Sequence, residues 1–261
     1  MKIIDRSPLK PRRGQKQAPW QDRVRAVLKH GWGWYQAYQA EERIIAILQG
    51  VLDNRFTLIR GFTLPGEEKP LPLVVVGPPG VFLLHVWPKA GFYRIREDQW
   101  EVMQRNSRRY RPGKVNMVKV VQDTARRLTA FLTQQSGKQV KVQPLFVFAD
   151  PGTDVDAVRP AIKPLLMDGL KRYFAQQNQG EAVLTPMDLM RLTDAFSPGA
   201  LGKQPRPKKH RRKPTAPPKP IRQAERYFNF TPRQWAILGV LAALVLLTSM
   251  CAILYVLMTA T

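Results

Sequence analysis

The chain is poor in the residues that usually build a metal or redox centre. It has a single cysteine, Cys251, among 261 residues, so it can form neither an internal disulfide nor a cysteine-based metal site. Its three histidines, His30, His85 and His210, are scattered without ligand spacing, which argues against zinc. Acids are scarce too: 19 Asp and Glu stand against 42 Lys and Arg, for a formal net charge of +23. That charge is unevenly placed. Residues 1–29 carry nine basic side chains against two Asp, a net of +7, and residues 203–233 carry eleven against one Glu, a net of +10. Nucleic acid, an anionic membrane surface or control of membrane topology would each account for such arms.

What the chain does have, near its middle, is a pair of almost continuous apolar runs. Leu71–Gly77 and Gly80–Trp87 flank the turn signal Gly77-Pro78-Pro79-Gly80. Continuous rather than alternating apolar character is that of strands buried on both faces, so the stretch predicts a hairpin at the centre of a small α/β domain. The end of its second strand, His85 to Trp87, is where chemistry is expected.

On the N-terminal side, residues 1–20 contain Pro8, Pro11 and Pro19 among basic residues and read as a flexible basic arm. From about Gln21 to Leu52 the spacing predicts a helix, with Trp34, Tyr38, Glu41, Ile44, Ile45, Leu48 and Leu52 on one face. A carboxylate on that stripe, Glu41, is costly unless it is paired, functional or at the margin. Phe56, Leu58, Arg60 and Phe62 alternate as in a half-buried strand, and Phe92–Ile95 and Gln99–Met103 read as short strands.

Arg105, Arg108, Arg109, Arg111 and Lys114 surround Tyr110 in an acid-free loop. Guanidinium groups beside a stacking ring suit a phosphate backbone, although charge runs are commonly just solvated loops. Asn116–Thr133 predicts an amphipathic helix with Asp123 set to pair with Lys119 and Arg127. Gln139–Phe148 predicts a strand ended by Asp150-Pro151-Gly152, and a helix follows from Pro164 to about Gln177. Thr185-Pro186-Met187-Asp188 opens a last short helix ending near Phe196. The domain is thus expected to span residues 21–197.

Residues 198–233 are rich in Pro, Lys and Arg and predict an extended linker. Residues 235–258 follow, 24 uncharged and mostly apolar positions with Thr248 and Ser249 among them. At about 1.5 Å per residue they reach about 36 Å, enough for a hydrocarbon layer of roughly 30 Å. Trp235 and Tyr255 lie near the ends, as interfacial aromatics do. The cluster Lys208, Lys209, Arg211, Arg212 and Lys213 precedes the span and no basic residue follows it. These residues should set the topology, so a single-pass protein with its N-terminal domain in the cytoplasm is expected.

The order helix, strand, hairpin, strand, helix, strand resembles the nuclease-related domain (NERD) family, a branch of the PD-(D/E)xK restriction-endonuclease-like fold. The resemblance runs from about Gln36 to Phe196. It is carried by Ala40-Glu41, Leu71–Gly77, Gly80–Leu84, the Trp87–Gly91 segment, and Asn116 with Lys119. It implies a mixed sheet flanked by helices and a metal-dependent nuclease site. In that family the first helix carries Gly-Glu, which Ala40-Glu41 fits in its Glu. The hairpin carries an Asp where Pro72 stands, and ends in Glu-x-Lys where His85-Val86-Trp87 stands.

Such chemistry needs two or more carboxylates around a divalent ion that lowers the pKa of the attacking water. Only Glu41 survives, with His85 beside it as a vestige, so no metal or other cofactor is expected. The reading is of a catalytically degenerate, membrane-anchored nuclease-related domain acting as a nucleic-acid-binding or scaffold module, with anionic lipid or a protein as further partners. The alternative is a metal-dependent nuclease or phosphodiesterase with a rearranged, Mg2+-binding site, using Glu67 and Glu68 as migrated ligands or His85 for a softer metal.

Overall fold

The computed structural model describes residues 1–9, 19–104 and 108–197. Arg105, the linker cluster at 208–213 and the expected span at 235–258 lie outside the described residues. Among the described residues no helix is long and apolar enough to cross a membrane.

The central hairpin forms where the apolar runs place it. β3 (Leu73–Gly77) pairs antiparallel with β4 (Gly80–Trp87), from Leu73 opposite Leu84 to Gly77 opposite Gly80. Both strands lie inside a six-stranded sheet. β2 (Thr57–Arg60) runs antiparallel to β3, and β8 (Val142–Phe148) runs parallel to β4. The edges are β1 (Lys2–Asp5), parallel to β2, and β10 (Lys163–Leu166), parallel to β8. The order is β1-β2-β3-β4-β8-β10.

Alternation along these strands divides the core in two. Leu58, Leu73, Val75, Phe82, Leu84 and Leu145 pack against helices α2 (Trp32–Gln49) and α4 (Met167–Gln179). Ile59, Val74, Val76, Leu83 and Phe146 pack on the other side against α3 (Met117–Ser136) and α5 (Pro186–Ala195). That second side also receives Tyr93, Ile95 and Trp100 from a four-stranded sheet of order β7-β6-β5-β9. Its members are β5 (Gly91–Arg96), β6 (Gln99–Met103), β7 (Tyr110–Pro112) and β9 (Thr153–Val158). The architecture is therefore mixed α/β, with sheets flanked by helices.

Four expectations need correction. Residues 1–20 are not an arm throughout: Lys2–Asp5 extend the large sheet, so the compact unit starts at Met1. The helical stretch beginning near Gln21 is two helices, α1 (Trp20–His30) and α2, because Gly31 has φ 88°, a left-handed conformation that glycine tolerates and a helix does not. Pro164 opens no helix but lies in β10, an edge strand, where its missing N–H costs no central ladder bond. Asp123 pairs with Arg126 at 3.3 Å, whereas Arg127 reaches Glu67 and Lys119 reaches Asp98, both at 3.2 Å. The last helix starts as expected: Thr185 and Asp188 form a reciprocal capping box.

Candidate functional site

The ends of β2 and β4, the approach to β3 and one side of α2 enclose a cavity of about 400 Å3. Glu41, Pro72 and His85 all line it. This convergence follows from register. Leu73 faces Leu84, so Pro72 and His85 stand one step beyond the last paired rung of the hairpin. Glu41 reaches the same place from α2, one residue past the fully buried Ala40. Three of the four positions singled out on the sequence thus share one cavity.

Trp87, the fourth, does not line that cavity. Its ring joins the aromatic cluster beneath the small sheet, 6.0 Å from Tyr93, 5.7 Å from Trp100 and 6.1 Å from Phe146 between centroids. Where the family pattern has a lysine, this chain has a packing residue.

The dominant group in the cavity is one that sequence reasoning missed. Arg60, at the end of β2, is 2 % exposed, and each of its three guanidinium nitrogens donates a hydrogen bond. Nε donates to Glu41 Oε2 at 2.8 Å, a second nitrogen donates to Glu42 Oε1, and a third to the Tyr38 carbonyl at 3.0 Å. The group also lies 3.9 Å from the centroid of the Tyr38 ring. Tyr38 in turn donates its hydroxyl to the Leu9 carbonyl at 2.8 Å, and burial pushes its pKa up to about 12, so it stays a neutral donor. Trp34 stacks on Tyr38 at 5.6 Å and completes the wall. Gly61 lets the chain turn beside Arg60. Its φ is 67°, and a Cβ there would lie 2.8 Å from the Ser7 backbone nitrogen.

Electrostatics follow from this enclosure. Burial raises the Glu41 pKa, and the pull of Arg60 offsets that only in part. Burial pushes His85 down to about 4, so the imidazole is neutral at pH 7; it rests 5.2 Å from the Phe146 ring. A divalent ion does not fit this donor set. Glu41 is committed to a guanidinium, the Pro72 side chain offers no ligand atom, and His85 is a single neutral nitrogen donor. Among the described residues no three His, Cys, Asp or Glu side chains gather as a metal site. The migrated-ligand candidates do not help: Glu67 pairs with Arg127 on α3, Glu68 is exposed, and neither lines the cavity.

The basic stretch lies elsewhere, on the small sheet. Tyr110 and Arg111 belong to β7, which pairs antiparallel with β6, so this is a hairpin rather than a free loop. Gln104 and Arg109 close its turn with a backbone bond of 3.0 Å, and Arg108 takes φ 47° there. Arg108, Arg109, Arg111 and Lys114 are exposed. Tyr110 is not an open stacking platform, because the Arg94 guanidinium sits 3.8 Å from its centroid and is held by Asp156 at 2.7 Å. Asn116 and Lys119, which helped carry the resemblance, perform structural work: Asn116 caps α3 by accepting from the Lys119 N–H, and also donates to the Asp98 carbonyl.

Neither a curated protein nor a solved structure matches the chain. The family model described as nuclease-related domain, NERD, matches residues 36–149. That span runs from α2 through β8 and contains Glu41, Arg60, Pro72, His85 and Trp87. Over those residues the chain is similar to the nuclease-related domain family.

Proposed function

We propose that this is a membrane-anchored, cytoplasm-facing protein whose nuclease-related domain keeps the arrangement of a restriction-endonuclease-like core but not its chemistry. It acts as a nucleic-acid-binding or scaffold module. One observation carries the loss of catalysis: Arg60, a permanent cation, occupies the Glu41 carboxylate inside the cavity that also holds Pro72 and His85. A cation already neutralising the one retained acid leaves nothing to hold a divalent ion and a phosphodiester together. Binding is supported by the exposed Arg108, Arg109, Arg111 and Lys114. Anchoring is supported by the uncharged run at 235–258 and the Lys208–Lys213 cluster before it.

The test is a cleavage assay with purified protein on single- and double-stranded DNA and RNA, with Mg2+ or Mn2+. No metal-dependent cleavage is expected. Cleavage that disappears in Glu41→Ala would overturn this reading in favour of a rearranged phosphodiesterase site.

A further inference from the structure

Helix α1 is built inside out for a globular protein. Among its described side chains the buried one is Ala26, 8 % exposed, which packs with Leu9 against Trp34, Tyr35 and Tyr38. Val24 and Leu28 are four residues apart and share the opposite face, since two positions from Ala26 is about 200° around a helix. They are 48 % and 82 % exposed, and Leu28 is the most exposed of the large apolar side chains among the described residues. Trp32, just past the Gly31 break, is 61 % exposed and continues the apolar surface, with its ring 5.7 Å from Tyr35. Arg25 and Lys29, also four apart, form an exposed basic stripe along one flank, with His30 exposed beyond. An outward apolar stripe flanked by basic residues and aromatics is the pattern of a helix lying at a lipid–water interface.

We propose that α1 docks in the plane of an anionic bilayer, with Val24, Leu28 and Trp32 entering the boundary between headgroups and acyl chains and Arg25 and Lys29 meeting lipid phosphates. The inference rests in part on the membrane anchoring proposed above, which would keep the domain near such a surface. Charge selects lipid over the other occupants. Residues 1–29 carry a net +7, so two copies pairing through this face would bring like charges together. A nucleic acid would use the basic flank but leave Leu28 and Val24 in water. Each Lys or Arg near an anionic leaflet contributes about a fivefold gain in binding. The apolar stripe then converts electrostatic attraction into insertion.

The test uses the full-length protein with Cys251→Ser and one new cysteine, Leu28→Cys, carrying an environment-sensitive fluorophore. A second protein carries the label through Val183→Cys. Val183 is 72 % exposed and lies beside the turn between β3 and β4, at the opposite end of the hairpin from His85. Each is mixed with vesicles of phosphatidylcholine alone or with phosphatidylserine, with and without brominated acyl chains.

The label at position 28 is expected to shift to the blue and be quenched by bromolipid in the anionic vesicles, while the label at 183 stays in water. Adding Arg25→Glu and Lys29→Glu should weaken that response by at least tenfold in lipid concentration. A label at 28 that stays in water on anionic vesicles, or that shifts without vesicles as protein concentration rises, overturns the proposal. The second outcome would mark a self-association face. Flotation after carbonate treatment reports on the anchor separately, so a failed anchor and a failed docking helix give different results.

Discussion

At the scale of single residues, the cavity is a study in what a buried charge requires. Arg60 cannot lose its proton, so every carboxylate and ring around it is in effect part of its solvation. Removing the cation while leaving Glu41 in place should be severe. Arg60→Met is expected to cost about 2–4 kcal/mol in urea unfolding of the domain, because it leaves a half-buried carboxylate without its partner. Adding Glu41→Gln to Arg60→Met should recover much of that loss; additive costs from the two changes would show that the pair is not the coupled unit described above. His85 gives the complementary pH signature. Its folded pKa of about 4 lies below the ordinary 6.5, so the unfolded chain binds the extra proton between those values. Stability should therefore rise with pH through that window, by at most about 1.4 kcal/mol per unit. The raised pKa of Glu41 acts with the opposite sign, reducing stability as pH climbs through its own shifted range. Comparing wild type with His85→Gln from pH 7 down to 4.5 isolates the histidine, and superimposable pH profiles would refute its assignment as a half-buried group held neutral.

At the scale of elements, legibility tracked how local each determinant is. The β3–β4 hairpin was readable because its two strands are apolar on both faces and joined by their own turn residues. The α5 cap was readable because Thr185, Pro186 and Asp188 lie within four positions. Strands β1 and β9 were not: neither carries a long apolar run, and each exists only through a distant partner, β1 through β2 some fifty-five residues later and β9 through β5 some sixty residues earlier, while β7 is local to β6 but has only three residues, two of them exposed. The same holds in the cavity. Glu41 stood out as an acid on an apolar stripe, but its partner was read merely as one member of an alternating strand. The available signal was symmetrical: Arg60 shares the core-facing register of Phe56 and Leu58, and two opposite charges on two inward faces require each other. Two elements give direct tests. Thr185→Ala should cost about 1 kcal/mol through loss of the cap. The Asp188 carboxylate is held down to about 2 by Lys138 and Thr185, so its contribution should persist above pH 4 and disappear as pH falls through about 2. For the β6–β7 hairpin, a domain lacking everything past Ser197 should bind nucleic acid with a steep salt dependence. Arg108→Ala, Arg109→Ala and Arg111→Ala together should flatten that slope by about two to three units if all three meet phosphates. Tyr110→Ala should matter less than a free ring would, since Arg94 already covers one face. No affinity at low salt would reduce the hairpin to a solvated surface and leave the scaffold role.

At the scale of the whole molecule, the distribution of charge and apolar length argues for a protein that works at a membrane. Residues 235–258 contain no charged side chain, and only Thr248, Ser249 and Tyr255 carry hydroxyls, too few for the polar face that a surface helix of a water-soluble fold needs. Eleven Lys and Arg stand in 203–233, just before it. On the membrane-anchored reading proposed above, the positive-inside rule would place the domain in the cytoplasm. The full chain should accordingly sediment with membranes and resist extraction by carbonate, whereas protein ending at Ser197 should leave the integral fraction and, at high salt, be released altogether. Salt distinguishes the two modes because an anchor is insensitive to screening and a docking helix with basic flanks is not. Protease added outside sealed right-side-out vesicles should spare the domain. Charge-reversing Lys208, Lys209, Arg211, Arg212 and Lys213 to Glu should make a fraction of the chains accessible by inverting them. A full-length protein recovered in the carbonate supernatant would end the membrane reading, and with it the reason for the linker's charge.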